Sequence, residues 1–310
     1  MKTAFVFPGQ GAQKVGMGQS LIEGCAAAKA VFEQADEALG MRLSSLCFAG
    51  PEEELRLTEN TQPAILATSI AALRCLEAKG ARADFVAGHS LGEYSALVAA
   101  GALRFEDALR VVRQRGQFMQ EAVPAGEGAM AALLGADVET VEAVCREASE
   151  RGVCSPANIN SPNQVVVAGH KSAVEYAVTL AKQRGVRRAV MLAVSAPFHC
   201  ALMQPAAERL EPVLADTAFA DLNVPLITNV DAAMITSGEQ ARAALVRQVA
   251  SPVRWSESVK QLLNAGVTRF VELGPGKVLS GLIKQMQPEA QILNVEDAPS
   301  LEATVACVGF

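Results

Sequence analysis

The 310-residue sequence predicts an α/β fold in two parts: a large subdomain around a parallel sheet, and a small antiparallel subdomain inserted into it. Short apolar runs alternate with longer segments of helical periodicity, the pattern of parallel strands connected by helices. Hydrophobic residues make up 50% of the chain and charged residues only 19%, so we expect a large core rich in Ala, Val and Leu. The glycine-containing segment 124–128 marks the start of the insertion.

The large subdomain is expected to comprise residues 1–124 and 196–310. Its predicted strands lie at 3–7, 85–87, 225–230 and 269–273. Its predicted helices lie at 62–79, 93–100, 105–120, 241–249 and 255–265, with a further helix starting at about 199.

Two glycine-rich turns do not fit nucleotide-binding motifs. A dinucleotide fingerprint after the first strand needs glycine where Lys14 stands, and a phosphate loop before Lys277 needs glycine at Val271.

The small subdomain is expected to comprise residues 125–195. Strands are predicted at 129–134, 153–158, 164–168 and 188–193, with helices at 138–151 and 172–184. This βαββαβ order is typical of a ferredoxin-like unit.

The most informative motif is Gly88-His89-Ser90-Leu91-Gly92, a GxSxG pattern between a predicted strand and a predicted helix. That context predicts a nucleophile elbow, a sharp turn that presents the Ser90 hydroxyl at the edge of the sheet. The large subdomain is therefore expected to be α/β-hydrolase-like. A GxSxG match without such flanks is often coincidental, so the interpretation depends on the strand and helix around it.

A serine nucleophile needs a base, and the chain has only three histidines. His89 is adjacent to Ser90 on a tight turn, so we expect it to support the turn through a hydrogen bond. His170 is expected at the surface of the small subdomain. His199, in the loop that follows the insertion, is the predicted base. Its orienting partner is left open between Asp231, which follows the histidine rather than preceding it as in α/β-hydrolases, and a backbone carbonyl.

Composition excludes several other classes of protein. A net charge of −6 without a run of basic residues argues against a general nucleic-acid surface. The apolar N-terminal stretch is too short for a signal peptide or a membrane span, so we expect a cytoplasmic protein. Seven cysteines without a CxxC pair are interpreted as reduced, buried thiols, and no metal site is expected. No segment calls for assembly, so a monomer is expected.

Several motifs together resemble the malonyl-CoA:acyl carrier protein transacylases of bacterial type II fatty-acid synthesis, over nearly the whole chain. In order they are Phe7-Pro8-Gly9-Gln10-Gly11, Thr61-Gln62-Pro63-Ala64, Gly88-His89-Ser90-Leu91-Gly92-Glu93-Tyr94-Ser95-Ala96, Arg115-Gly116, Asn160 before Pro162, Phe198-His199, Asn229-Val230 and Gln248. Each is modest alone, but the ordered set is specific.

The resemblance implies a role for each matching residue. Ser90 would be acylated, His199 would be its base, and the main-chain carbonyl of Gln248 would orient the histidine. The backbone amides of Gln10 and Leu91 would form the oxyanion hole.

Arg115 would bind the malonyl carboxylate through its planar fork of donors, although a late-helix arginine in a sequence is usually only a solvated charge. The other expected substrate-site residues are His89, Asn160, Phe198, Asn229 and Gln248. Phe198 before His199 resembles the malonyl-selective pattern.

The activity implied is transfer of a malonyl group from malonyl-CoA to the phosphopantetheine thiol of an acyl carrier protein, with no bound cofactor. The pathway stays open between fatty-acid synthesis, polyketide synthesis and malonate decarboxylation. Because carrier proteins are acidic, a basic docking surface is expected, with Lys182, Arg184, Arg187 and Arg188 as candidates. The alternatives are a serine thioesterase or esterase, and a non-catalytic protein that keeps the fold. The joint presence of Ser90, His199 and Arg115 argues against the non-catalytic alternative.

Overall fold

The computed structural model describes residues 1–194 and 196–308. Ser195, the first residue of the loop expected before His199, lies outside the described residues. The strands are β1 (Lys2–Phe7), β2 (Phe85–Gly88), β3 (Gly128–Leu134), β4 (Cys154–Ser161), β5 (Gln164–His170), β6 (Arg188–Met191), β7 (Leu226–Ile227), β8 (Met234–Ile235), β9 (Val267–Leu273) and β10 (Gln291–Val295).

Helices surround these strands. They are α1 (Gln19–Gly24), α2 (Ala26–Leu39), α3 (Leu43–Ala49), α4 (Glu52–Leu55), α5 (Thr58–Glu77), α6 (Gly92–Ala99), α7 (Phe105–Glu121), α8 (Val138–Ala148), α9 (Lys171–Gln183), α10 (Gln204–Asp216), α11 (Gly238–Gln248), α12 (Trp255–Asn264), α13 (Val278–Met286) and α14 (Ala298–Val308). Short 3₁₀ turns lie at Ser149–Arg151 and Ala201–Met203.

The large sheet has six strands in the order β10-β9-β1-β2-β7-β8, parallel except for β8. The inner strand β1 reads Lys-Thr-Ala-Phe-Val-Phe and is buried after its first residue, as expected for a strand covered by helices on both faces. The loops after β1, β2 and β7 emerge at the same carboxyl edge, where ligands bind in open α/β sheets. Gln10, Ser90 and Asn229 lie in these three loops.

The small sheet has four antiparallel strands in the order β4-β5-β3-β6. With α8 and α9 packed on one face, this is the strand order of the predicted ferredoxin-like unit. The sheet has its own core, formed mainly by small aliphatic side chains such as Leu133, Val144, Val167 and Val174. The α/β class and the two sheets agree with the sequence prediction, while 125–195 as the bounds of the insertion stays a prediction.

A backbone seam joins the two subdomains in the middle of β4. The Ile159 amide donates to the Val253 carbonyl at 2.9 Å, and the Val253 amide donates to the Ala157 carbonyl at 2.8 Å. Asn158 and Val253 thus form a parallel β-bridge between the small sheet and the loop before α12. Asn160, two residues further along β4, is positioned by this seam.

Three predicted elements differ from the structure. The helix predicted at 62–79 starts at Thr58, with Pro63 inside it. The strand predicted at 225–230 is only Leu226–Ile227, because the chain turns after it to place Asn229 in the site. The helix predicted from about 199 starts at Gln204, since His199 itself has a left-handed φ of 61°.

The interpretation of all cysteines as reduced thiols is wrong for one pair. Cys25 and Cys75 are joined by a disulfide between the start of α2 and α5, with a Cα–Cα distance of 6.0 Å. They are 50 residues apart and share no sequence pattern, so only the packing of α2 against α5 reveals the pair. Cys47, Cys145, Cys154 and Cys200 are free and buried, and Cys307 is free and exposed.

Gly92 permits close packing of the elbow helix on β1. A Cβ atom there would lie 2.0 Å from the Phe7 carbonyl oxygen, a backbone atom that cannot move aside. We expect Gly92→Ala to lower the free energy of unfolding by about 3 kcal/mol, the upper range for overpacking. Gly281→Ala is the matched control, because Gly281 is an exposed position of α13 where a Cβ atom would meet nothing within 4 Å. Chemical denaturation should show this control to be about 0.5–1 kcal/mol more stable than wild type. Equal effects of the two substitutions would contradict the packing argument.

Candidate active site

Ser90 lies at the turn between β2 and α6, as the motif predicts. Its φ of 52° is left-handed, a conformation that non-glycine residues hold only when the surrounding structure enforces it. The Asn229 side chain enforces it here: Oδ1 accepts from the Ser90 amide and Nδ2 donates to the Gly88 carbonyl, both at 2.6 Å. The strained turn is thus held on both sides by one buried amide.

The Ser90 hydroxyl is hydrogen bonded to His199. Ser90 Oγ and His199 Nε2 are 2.7 Å apart, although the residues are 109 positions apart in sequence. His199 Nδ1 lies 3.0 Å from the main-chain carbonyl of Gln248. Because a carbonyl only accepts hydrogen bonds, Nδ1 carries the proton and Nε2 is the acceptor for the serine hydroxyl. The arrangement is that of an activated nucleophile with its base.

Asp231 does not orient the histidine. Its carboxylate makes a two-point ion pair with Arg247 at 2.8 and 2.6 Å, on the partly exposed surface. Of the two orienting partners left open by the sequence, the structure selects the backbone carbonyl of Gln248. The pair is a Ser-His dyad rather than a triad with an acid.

Burial sets the protonation state of the base. Desolvation, reinforced by the Arg115 charge, lowers the pKa of His199 to about 3. The neutral form, which accepts a proton, is therefore the form present at neutral pH.

Arg115 is almost fully buried, with 1% of its surface exposed, which excludes a solvated helix charge. Its Nη1 donates to Gln62 Oε1 at 2.7 Å, and its Nη2 donates to Gln248 Oε1 at 2.9 Å and to Ser90 Oγ at 3.1 Å. Its Nε has no partner among the described residues. The acceptors are neutral, so they orient the guanidinium beside the nucleophile without neutralising its charge.

Gln248 connects the other groups. Its carbonyl orients His199, its Oε1 accepts from Arg115, and its Nε2 donates to the Ser90 carbonyl at 3.1 Å and to Glu93 Oε2 at 2.8 Å. The residue is completely buried at the end of α11. One side chain and its carbonyl therefore fix the relative positions of Ser90, His199 and Arg115.

His89 and Asn160 form a contact between the two subdomains. His89 Nε2 and Asn160 Oδ1 are 2.8 Å apart, and the imidazole ring lies 5.9 Å from the Trp255 ring. Burial lowers the pKa of His89, so it is neutral and donates to Asn160. The His89 side chain thus links the elbow to β4, and a direct contact of either residue with substrate stays a prediction.

The two expected oxyanion amides are free to bind. Within residues 1–194 and 196–308, neither the Gln10 nor the Leu91 amide donates to a protein acceptor. The loop after β1 packs closely against the elbow at Gly9, where an added Cβ atom would lie 2.4 Å from the His89 carbonyl oxygen. Leu91 stands at the N-terminus of α6, where amides are unpaired and the helix dipole favours an anion.

The remaining predicted residues lie outside this network. Phe198 is buried beside His199 in the main core, and its effect on acyl selectivity stays a prediction. Lys182, Arg184, Arg187 and Arg188 are exposed at the end of α9 and the start of β6. Arg184 is ion-paired with Glu147, which leaves it less available than the others.

Sequence reasoning did not assign site roles to Gln62 or Glu93, although both lie within the quoted motifs. Gln62 holds Arg115, and Glu93 accepts from Gln248 and from the Asn229 amide, the latter at 3.1 Å. Gln62 follows four polar residues at the start of α5, and Glu93 stands at the start of α6, so only the structure reveals that both are buried.

Similarity to known proteins identifies the family to which the chain belongs. The model of the acyl transferase domain matches residues 4–303. The chain belongs to this acyl transferase family. The Bacillus subtilis (strain 168) malonyl CoA-acyl carrier protein transacylase is 52% identical over 305 residues, which cover 98% of this chain and 96% of that protein.

Solved structures of similar acyl transferases share the whole fold. The acyl-carrier-protein S-malonyltransferase of Burkholderia pseudomallei 1710b has a TM-score of 0.96 at 46% identity, covering 99% of this chain and all of that one. A malonyl transacylase solved in complex with a type II PKS acyl carrier protein has a TM-score of 0.97 at 45% identity, with 99% and 100% coverage. The recognition made from the motifs is confirmed.

No helix among the described residues is both long and apolar enough to cross a membrane. In the same part of the chain, no group of three His, Cys, Asp or Glu side chains is arranged to hold a metal ion.

Proposed function

We propose that this acyl transferase moves a malonyl group from malonyl-CoA to the phosphopantetheine thiol of an acyl carrier protein, through a malonyl-Ser90 intermediate. The observation that carries the proposal is the buried Arg115 guanidinium, 3.1 Å from the Ser90 hydroxyl and held by neutral acceptors only. A carboxylate on the acyl group would give the guanidinium a direct ionic partner, which none of these acceptors provides. Family membership and the names of the relatives support the same assignment.

The first half-reaction acylates the serine. The Ser90 Oγ–H proton passes to His199 Nε2 as Oγ attacks the thioester carbonyl carbon. The resulting oxyanion is stabilised by the amides of Gln10 and Leu91. When the C–S bond breaks, the departing CoA sulfur takes the proton from His199.

The second half-reaction reverses these roles. The carrier thiol gives its proton to His199 and attacks the malonyl ester, and Ser90 leaves with that proton. Water competes for the same ester, and an acyl transferase must hold the group until the thiol arrives. Pairing of the malonyl carboxylate with Arg115 fixes the acyl group in one orientation between the two steps.

The deciding experiment is the mass of the intact protein after brief exposure to malonyl-CoA, acetyl-CoA or methylmalonyl-CoA. We expect a stable malonyl adduct on Ser90 that disappears on addition of holo acyl carrier protein, with malonyl appearing on the carrier. Release of free malonate without a carrier product would identify a thioesterase instead. Absence of any adduct would favour a non-catalytic role.

For carrier docking, we propose the basic surface near Arg187 and Arg188. Both line a groove of about 780 Å³ that Gln285 of α13 borders from the large subdomain. Neither arginine has an ion-pair partner within the described parts of the chain. Lys182 lies on the same exposed end of the small subdomain and adds to its positive charge.

Charge reversal tests this surface. Arg187→Glu combined with Arg188→Glu should raise the KM for acyl carrier protein about tenfold or more, with the KM for malonyl-CoA changed less, because complementary charge speeds encounter. Lys79→Glu combined with Lys260→Glu is the matched control, since both lysines are exposed in the large subdomain. An unchanged KM for acyl carrier protein in the folded double variant would exclude docking there.

The cytoplasmic location and the monomeric state also stay predictions.

A further inference from the structure

A buried carboxylate lies directly beneath the site. Glu93, three residues after Ser90 in α6, has 1% of its surface exposed. Its Oε2 accepts from the Asn229 amide at 3.1 Å and from Gln248 Nε2 at 2.8 Å. Desolvation raises the pKa of Glu93 to about 7, since these bonds only partly offset the burial. The proposed acyl transfer gives this group no direct part.

Glu93 is linked to Arg115 through a single amide. Arg115 Nη2 donates to Gln248 Oε1 at 2.9 Å, and Gln248 Nε2 donates to Glu93. The other charged groups that act on Glu93 are Asp231, beyond β7, and Arg247, on α11. These two are paired with each other, so their effects on Glu93 largely cancel.

The remaining titratable neighbour of Glu93 is Tyr94 on the same helix. Burial raises its pKa, so its hydroxyl stays neutral. Arg115 is therefore the one uncompensated charge facing Glu93 among the described residues. A buried guanidinium and a buried carboxylate, one amide apart, lower each other's cost of burial.

We propose that Glu93 is the resident counter-charge of Arg115, which takes up one proton from solvent when a substrate carboxylate binds the arginine. This inference rests on the proposed malonyl transfer. With the site empty, Arg115 is balanced by Glu93, which is ionised above about pH 7. With malonyl bound, its carboxylate replaces Glu93 as the balancing charge, and Glu93 becomes neutral. Glu93 touches no reacting atom, so it is a positioning residue.

The proposal predicts how malonyl binding depends on pH. Above about pH 7 an ionised Glu93 places a second negative charge near the malonyl carboxylate, so apparent affinity falls as pH rises. The apparent affinity for malonyl-CoA is expected to fall roughly tenfold between about pH 6 and about pH 8.5. A tenfold change corresponds to a difference of about one unit between the pKa of Glu93 in the empty site and in the occupied site. His199 contributes nothing in this window, because its pKa of about 3 keeps it neutral. Acetyl-CoA, which lacks the carboxylate, should show no such dependence.

Glu93→Gln is the decisive variant. It keeps an acceptor oxygen for the Asn229 amide and for Gln248 but removes the charge. The concentration of malonyl-CoA that gives half-maximal adduct formation should rise about tenfold with pH in wild type and stay flat in the variant. Glu272→Gln is the matched control, since Glu272 is also buried, also has a raised pKa, and accepts from the Leu279 and Ser280 amides away from Arg115.

The outcomes separate the two proposals. A wild-type protein that forms no malonyl adduct at any pH would contradict the proposed function itself. A malonyl adduct formed with pH-independent affinity in wild type would overturn the role of Glu93, even if Glu93→Gln failed to fold. Retention of the wild-type pH profile by folded Glu93→Gln would overturn it as well. A pH response that is lost in Glu93→Gln and kept in Glu272→Gln would support it.

Discussion

Replacing Ser90 with alanine is expected to eliminate the acyl adduct and to lower malonyl transfer by about 10⁶-fold, the scale found when a serine nucleophile is removed. The Oγ atom is the attacking atom in the proposed mechanism, and it is the one hydrogen-bond partner of His199 Nε2 among the described residues. The protein should remain folded, because alanine keeps the Cβ and the turn is held through backbone atoms by Asn229. The measurements are intact mass after exposure to malonyl-CoA and steady-state transfer to carrier protein.

Ser95→Ala is the matched control for this substitution. Ser95 lies on α6, the helix that follows Ser90, is fully buried, and its hydroxyl has no hydrogen-bond partner among the described residues. Its loss should leave the adduct and the transfer rate close to wild type. A malonyl adduct of unchanged mass in Ser90→Ala would show that another residue is the nucleophile.

Replacing Arg115 with alanine should change the choice of acyl group. Malonyl transfer is expected to fall by about 10²–10³-fold, or about 3–4 kcal/mol, the cost of removing one partner from a buried charge pair. Acetyl transfer should be spared or improved, because an acetyl group leaves the arginine unpaired in wild type. The informative quantity is the ratio of kcat/KM for malonyl-CoA to that for acetyl-CoA.

Two further variants sharpen this test. Arg113→Ala removes an arginine from the same helix, where it contacts Met41 Sδ rather than the site, and should leave the ratio unchanged. Arg115→Lys keeps the charge but loses the fork that reaches Gln62 and Gln248 together, so an intermediate ratio is expected. Equal losses for both acyl groups in Arg115→Ala would exclude a carboxylate clamp.

Much of this site could be predicted from the sequence, because its main parts are formed by residues close together in the chain. The elbow at Ser90 is encoded by contiguous residues, and the strand and helix around it are recognisable from periodicity. His199 could be selected because the chain has few histidines. The Ser-His pairing at 2.7 Å agrees with that prediction in geometry, while the catalytic roles await the experiments above.

The network beneath the site was less predictable, because it depends on which side chains the packing buries together. Arg115 in a helical sequence is indistinguishable from a solvated arginine until α5 covers it. Glu93 and Gln248 are 155 residues apart, and no periodicity predicts that they meet. The helices between residues 19 and 55 were not predicted either; several are short, and each packs on α5 and on neighbouring helices of the same segment.

The seam at Asn158 and Val253 bears on how this enzyme can be re-engineered. Chimeras that exchange the inserted segment between relatives would cut the chain at two covalent junctions, which the sequence predicts near residues 125 and 195. The backbone hydrogen bonds from Val253 to Ala157 and from Ile159 to Val253 form a third, non-covalent junction, whose partner on the large subdomain is not exchanged with the segment. A grafted segment must match the acceptor's loop before α12 at this point, or Asn160 will shift from His89. Compatible donors should therefore be chosen by the loop before α12 as well as by the insertion itself.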